Sequence, residues 1–260
     1  MFSISASITD FPVFSRLETF FRKYKEAGCD GVEIVIGFKQ RWRYEYVWSL
    51  SQKYNLPITS IHQPPWSGLG IAFDEGFIHQ AMKRGVMKFV FHPLTFPPLA
   101  SHQMTSYFEK IARIQQQYGI TVMLENDDGF KGGTILDYIV PKRGDSSDIE
   151  RIYEIAGQYG FLTTYDMSHT KYAKPHEEKK FLKVFDRIGN IHLSSFNATP
   201  KGQHWPLDMG NLDAKGFLQF LKHRQYKGLL TLEVFYPELF GIWRFDFDAI
   251  KRSVEIVKSV

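Results

Sequence analysis

The chain has a single cysteine, Cys29, so no intrachain disulfide can form and nothing in it demands an oxidising compartment. Cys29 lies in EAGCDGVEI, at the close of a helical pattern, and reads as a small packing residue rather than a nucleophile. No apolar run approaches the ~20 residues that span a bilayer. The opening MFSISASITDFP lacks the basic start and long apolar stretch of a secretory leader, so a cytoplasmic location is the simplest expectation. The first strand-like run is followed by TDFPVF, without the glycines that cradle a dinucleotide's phosphates, which weakens a Rossmann reading. Charge of one sign is also scarce. Lys and Arg number 32 against 28 Asp and Glu, and the net +4 suits an anionic small molecule but falls short of a nucleic-acid-binding footprint.

What is present is a regular alternation. Short runs rich in β-branched and aromatic residues, the pattern of buried strands, are each followed by a helical stretch. The strands are FSISASI, GVEIVIG, ITSIH, KFVFH, TVMLE, the run ending TTYD, IGNIHLSS and LLTLEVF. Helices are predicted near 14–25, 44–54, 76–83, 104–117, 147–159, 177–185, 217–223 and 247–257. Eight βα units without a composition break or linker predict one α/β domain over 1–260, a (β/α)8 TIM barrel. An open doubly wound sheet is the alternative. The 23 Phe and 13 Tyr are expected to pack barrel against helices.

Six of the strand-like runs end in a residue able to bind a metal: His62, His92, Glu125, Asp166, His192 and Glu233. Strand boundaries usually carry Asn, Asp, Gly or Ser, so a set dominated by His and Glu calls for another reason. In a barrel all strand C-termini meet at one mouth. Glu125, Asp166, His192 and Glu233, from strands five to eight, then form a contiguous arc. Their mixed donor set suits Mn²⁺, Zn²⁺, Mg²⁺ or Co²⁺. Without a cation, so many carboxylates together would force some to protonate.

GCDGVEI, MLEN, DMSH, IHLSS and HWPLDMGNLD leading to TLEVF resemble the xylose-isomerase-like barrel superfamily, which holds sugar and sugar-phosphate isomerases and epimerases and also endonuclease IV. The resemblance spans nearly the whole chain. It implies that Glu125, Asp166, His192 and Glu233 bind one divalent ion, and that Glu125 and Glu233 move a substrate proton through a metal-stabilised enediolate. His169 matches a histidine used against a substrate oxygen. The arginine that often follows the seventh strand's histidine is missing from SSFNATPKGQ, and Lys201 or His204 stands in for it. Glu33, His62, Trp66, Lys201 and His204 are the expected substrate contacts, with Glu33 an inward carboxylate that either touches substrate or supports the site.

IHQPP and FHPL look like the endonuclease IV branch, whose matching residues, His62 and His92, bind a second ion bridged by Glu125. That branch's third site uses residues matching His169 and His204 plus an aspartate, replaced here by Gly202. The expectation is therefore a metal-dependent isomerase or epimerase of a sugar or sugar phosphate, with an abasic-site phosphodiesterase as the alternative. No membrane partner is expected, nucleic acid is a lesser expectation than a small sugar, and a homo-oligomer remains open.

Overall fold

The computed structural model describes residues 2–9, 17–36, 44–63, 74–93, 101–126, 149–170, 175–197, 204–234, 236–237, 243–244 and 246–260. Eight parallel strands hydrogen-bond in sequence order into a closed barrel: β1 (Ile4–Thr9), β2 (Gly31–Val35), β3 (Ile58–His62), β4 (Lys88–Phe91), β5 (Thr121–Glu125), β6 (Leu162–Asp166), β7 (Ile188–Leu193) and β8 (Leu229–Leu232). β1 closes the ring on β8 with Ile4 opposite Leu230 and Ala6 opposite Leu232. The expected (β/α)8 barrel is the fold, and the open sheet is excluded.

The surrounding helices are α1 (Leu17–Ala27), α2 (Tyr44–Tyr54), α3 (Glu75–Lys83), α4 (Ser101–Tyr118), α5 (Ile149–Tyr159), α6 (Met167–Thr170), α7 (Pro175–Val184), α8 (Ala214–His223) and α9 (Phe247–Lys258). Each long helix turns an apolar stripe to the sheet. In α1 that stripe is Leu17, Phe20, Phe21 and Tyr24, and in α9 it includes Ala249, Ile250, Val254 and Val257. Many of the described aromatics sit in this layer, as expected. Phe181 of α7 meets Tyr165 of β6 edge to face, with centroids 4.7 Å apart, and also contacts Phe217 of α8. Asp74, Asp213 and Asp246 cap α3, α8 and α9 by accepting from backbone N–H groups.

Several elements differ from expectation, and α4 and α8 each begin three residues earlier than expected, at Ser101 and Ala214. α7 begins at Pro175, which periodicity alone misses because proline at a first helical position carries no apolar signal. The single-turn α6 follows β6 without a break, too short to show a period. A two-stranded antiparallel ribbon, β9 (Tyr236–Pro237) with β10 (Trp243–Arg244), lies beyond β8.

Inside the barrel, side chains lie in layers because alternate residues of each strand point inward. The candidate ligands form the upper layer. Two residues earlier along the strands lie the inward positions of the next layer, including Ser60, Thr164, Asn190 and Thr231, all fully buried. Val90 and Met123, two residues before His92 and Glu125, share that layer, and with Leu229 and Leu162 one step further down they form an apolar cluster beneath the ligands. Gly189 of β7 leaves room for that cluster, since a Cβ there would lie 2.7 Å from Leu162 Cδ1 and 3.2 Å from Met123 Sδ. Among the described residues, no helix is long and apolar enough to cross a membrane.

Candidate metal centre

All six strand-end residues converge. His62, Glu125 and Asp166 close β3, β5 and β6, His192 lies within β7, and His92 and Glu233 follow the last residues of β4 and β8. The parallel register sets Asp166 beside His192, and none of the six is more than 6% exposed.

The quartet gathers around one ring nitrogen. His192 Nδ1 lies 2.8 Å from Glu233 Oε2, 3.1 Å from Glu125 Oε1 and 3.9 Å from Asp166 Oδ2. Ligand atoms bound to one ion at ~2.1 Å stand roughly 3.0–3.4 Å apart, so only a small adjustment separates this arrangement from a coordination shell. A second group lies beside it. His62 Nε2 and His92 Nε2 are 2.8 Å apart, and they lie 3.0 and 3.3 Å from Glu125 Oε2. Glu125 therefore divides its oxygens, Oε1 to the quartet and Oε2 to the histidine pair.

The donor set fits a cation. Among the described residues, Glu125 Oε2, Asp166 Oδ2 and Glu233 Oε2 are buried without a hydrogen-bond partner. Ring nitrogens lie close to two of these oxygens but make no well-aligned hydrogen bond to them, and buried carboxylate oxygens left in that state are costly, a cost that a cation removes. The quartet and the His62–His92–Glu125 group each present ligand atoms within 4.8 Å of one another, and so do Asp166, His169 and His204.

Without a metal, protons supply the positive charge. Burial pushes the His62 ring down, but the Glu125 and Glu33 carboxylates outweigh it and hold its pKa up at about 10. Burial likewise works against His192, yet Glu125, Glu33 and Glu233 raise it well above the usual histidine range. Burial pushes Glu125 and Glu233 up, and the facing histidines drive both well below the ordinary carboxylate value. Asp166 goes the other way. Burial dominates, His169 and His204 pull it down, Glu233 and Glu125 push it up, and the net shift is upward.

Several supporting residues were missed from the sequence. Asn126 clamps Asp166 from the next strand: its Oδ1 accepts from the Asp166 N–H at 2.8 Å and its Nδ2 donates to the Asp166 carbonyl at 3.1 Å. The Asn126 carbonyl also lies 2.9 Å from His169 Nδ1. Asp166 Oδ1 accepts from Ser168 Oγ and from the His169 N–H, both at 2.8 Å, which caps α6 and leaves Oδ2 facing the quartet. MLEN and DMSH contained these residues, and a polar neighbour beside each ligand was the available signal.

His169 is half-buried, with Nδ1 3.7 Å from Glu125 Oε1 and 3.8 Å from Asp166 Oδ1. His204 is buried beside it, 3.9 Å from both Asp166 Oδ2 and Glu233 Oε2. Its φ of 57° is a conformation that side-chain-bearing residues rarely adopt. Reciprocal backbone hydrogen bonds of 2.8 Å between Trp205 and Ser195 follow directly after it. Glu33 is fully buried beneath the ligands, with Oε1 3.0 Å from His192 Nε2 and 3.5 Å from His62 Nδ1. This places Glu33 against the ring nitrogens that face away from the quartet and from the His62–His92 pair. Trp66, Lys201 and Gly202 lie outside the described residues.

The model of the xylose isomerase-like TIM barrel family matches residues 21–260. The chain belongs to that family. Solved structures share the barrel at low sequence identity. A 3-keto-D-glucoside 4-epimerase from E. coli superposes with a TM-score of 0.73 at 15% identity, covering 100% of both chains. A D-allulose 3-epimerase from Methylomonas sp., solved with D-allulose, gives 0.70 at 15% identity over 99% of this chain and 96% of its own. An AP endonuclease, family 2, from Brucella melitensis gives 0.67 at 18% identity over 90% of this chain and 93% of its own. Such likenesses establish the fold, and this fold hosts many reactions.

Proposed function

We propose that the protein is a divalent-metal-dependent isomerase or epimerase of a sugar or sugar phosphate, with Glu125 and Glu233 as the proton-transferring pair. The observation that carries this reading is the convergence of both carboxylates on His192 Nδ1, at 3.1 and 2.8 Å, beside Asp166. A divalent ion held by Glu125, Asp166, His192 and Glu233 supplies positive charge for the oxygens of a ketose while the adjacent carbon gives up its proton. Glu125 and Glu233 take and return that proton, and their depressed pKa values keep both ionised at neutral pH. His169, half-buried beside Glu125, is placed to meet a substrate oxygen. The sugar epimerases among the similar structures agree with this assignment. A single, buried cysteine suits a reducing compartment such as the cytoplasm.

The test is exchange in D2O. With added Mn²⁺ or Mg²⁺, the protein should wash deuterium into the carbon beside the carbonyl of a ketohexose or its phosphate. Glu125→Gln and Glu233→Gln should each lower that exchange by ~10²–10⁴ while the fold survives, because an amide cannot carry the proton. Metal content is measured on the same variants, since both residues are also ligands in this reading. Full exchange in both variants would remove the two-carboxylate mechanism.

The His62, His92 and Glu125 Oε2 group favours a second reading, in which a second ion beside the first serves a phosphodiesterase. Incision of an abasic duplex with Zn²⁺ or Mn²⁺ tests it directly.

A further inference from the structure

An imidazole that gives one nitrogen to a metal keeps its proton on the other, and the partner of that other nitrogen decides which is which. His192 faces the quartet through Nδ1, and His62 faces His92 and Glu125 through Nε2. Their opposite nitrogens both lie close to one atom, Glu33 Oε1, at 3.0 Å from His192 Nε2 and 3.5 Å from His62 Nδ1, as ion-pair contacts among three buried atoms that have no hydrogen-bond partner elsewhere among the described residues. We propose that Glu33 is a positioning residue that fixes the proton-bearing nitrogen of both histidines at once, so that the two metal sites share a single buried carboxylate anchor. This rests on the metal-dependent reading above and goes beyond it, because it makes the affinities of the two sites rise and fall together.

Glu33 is itself held so that it cannot turn. Its Oε2 accepts from Ser60 Oγ at 2.7 Å and from Asn190 Nδ2 at 3.3 Å. An ionised carboxylate can only accept, so the Asn190 amide turns its NH2 to Glu33, and its Oδ1 accepts from Thr231 Oγ1 at 3.0 Å. Oε2 is therefore committed to the interior network, and only Oε1 faces the rings. All four residues of this network are fully buried.

The arrangement predicts what an isosteric change does. In Glu33→Gln the amide oxygen stays with the Ser60 and Asn190 donors, so the amide NH2 takes the place of Oε1. There it meets the N–H groups of both rings. Each ring relieves that clash by moving its proton to the nitrogen that faces the metal. Losing such an outer partner typically lowers metal affinity ~10–100-fold. The shorter contact belongs to His192, so the quartet site should lose more than the His62–His92 site.

The experiment uses the full chain with Zn²⁺ as the probe. Chelator competition gives the affinity of each site in wild type, Glu33→Gln and Ser60→Ala. Long-range ¹H–¹⁵N correlation spectra of the zinc-loaded proteins report which ring nitrogen carries the proton. Melting of the metal-free proteins reports folding. Wild type should show the proton on His192 Nε2 and His62 Nδ1. Glu33→Gln should lose ~10–100-fold in affinity at both sites. Ser60→Ala, which removes one of the two donors holding Oε2, should move both affinities in the same direction by a smaller factor, and it carries the test if Glu33→Gln does not fold. A folded Glu33→Gln with wild-type affinities and ring protons would overturn the proposal. So would a wild-type His192 without a proton on Nε2, since Glu33 would then share an ion lodged between the rings. A wild type that binds no Zn²⁺ at all would instead overturn the metal reading, and this inference with it.

Discussion

The division of the Glu125 carboxylate makes metal excess an inhibitor of proton transfer. Oε1 belongs to the quartet, while Oε2 lies 3.0 and 3.3 Å from His62 and His92 and is the oxygen left to accept a proton. A second ion at those three atoms takes that oxygen, and losing a general base commonly costs ~10²–10⁴ in rate. The second ion must also displace the proton of His62. The Glu125 and Glu33 carboxylates that raise His62 in the metal-free protein favour keeping that proton, so binding of the second ion is expected to strengthen as pH rises. The expected result is activation by the first equivalent of Mn²⁺ and inhibition at higher metal. The inhibitory midpoint should fall as pH rises, because His62 must give up a proton as the ion binds. Deuterium exchange into a ketose under buffered metal follows both phases, and in His92→Ala the inhibitory phase should disappear. Activity that climbs with the second equivalent would refute the reasoning, because Glu125 Oε2 could not then be the base.

Other consequences are measurable without knowing the substrate. In the metal-free protein, His62, raised to about 10, stabilises the fold fully below pH ~6.5 and loses that contribution as pH rises through its folded value. Glu33, lowered to about 2 by the His192 and His62 charges against burial, stabilises above pH ~4.5 and loses that contribution as pH falls towards about 2. Thermal melts should therefore plateau between these limits, and bound metal should blunt the alkaline decline. Asn126→Ala strips two hydrogen bonds from the buried Asp166 backbone, and denaturant unfolding should show a loss of about 2–4 kcal/mol. Incision of an abasic duplex should be slight. Robust incision that vanishes in His92→Ala would favour the phosphodiesterase over the epimerase.

The upper layer of the barrel was legible because each ligand ends an apolar run, and parallel strands bring such ends together. Trp205 and Ser195, paired across the long β7–α8 connection, were not, because nothing local in the sequence announces a contact between loops. Ser60, Asn190 and Thr231 could have been found: each stands two residues before a ligand and so shares its inward face. They went unremarked because Ser, Asn and Thr within a strand carry no chemical signature until their partner, Glu33, is seen beneath His62 and His192. Glu33 itself was legible as inward, but only geometry shows which way its two oxygens turn. The positive φ of His204 has no sequence signal at all.

Val90, Met123, Leu229 and Leu162 fill the barrel with apolar side chains below the ligands, so the quartet is approached from the C-terminal ends of the strands. Whatever reaches the quartet arrives through the mouth and must leave by the same route before another molecule can take its place. It means that a molecule lodged at the rim would trap product as effectively as it bars substrate, slowing release and capture in equal measure.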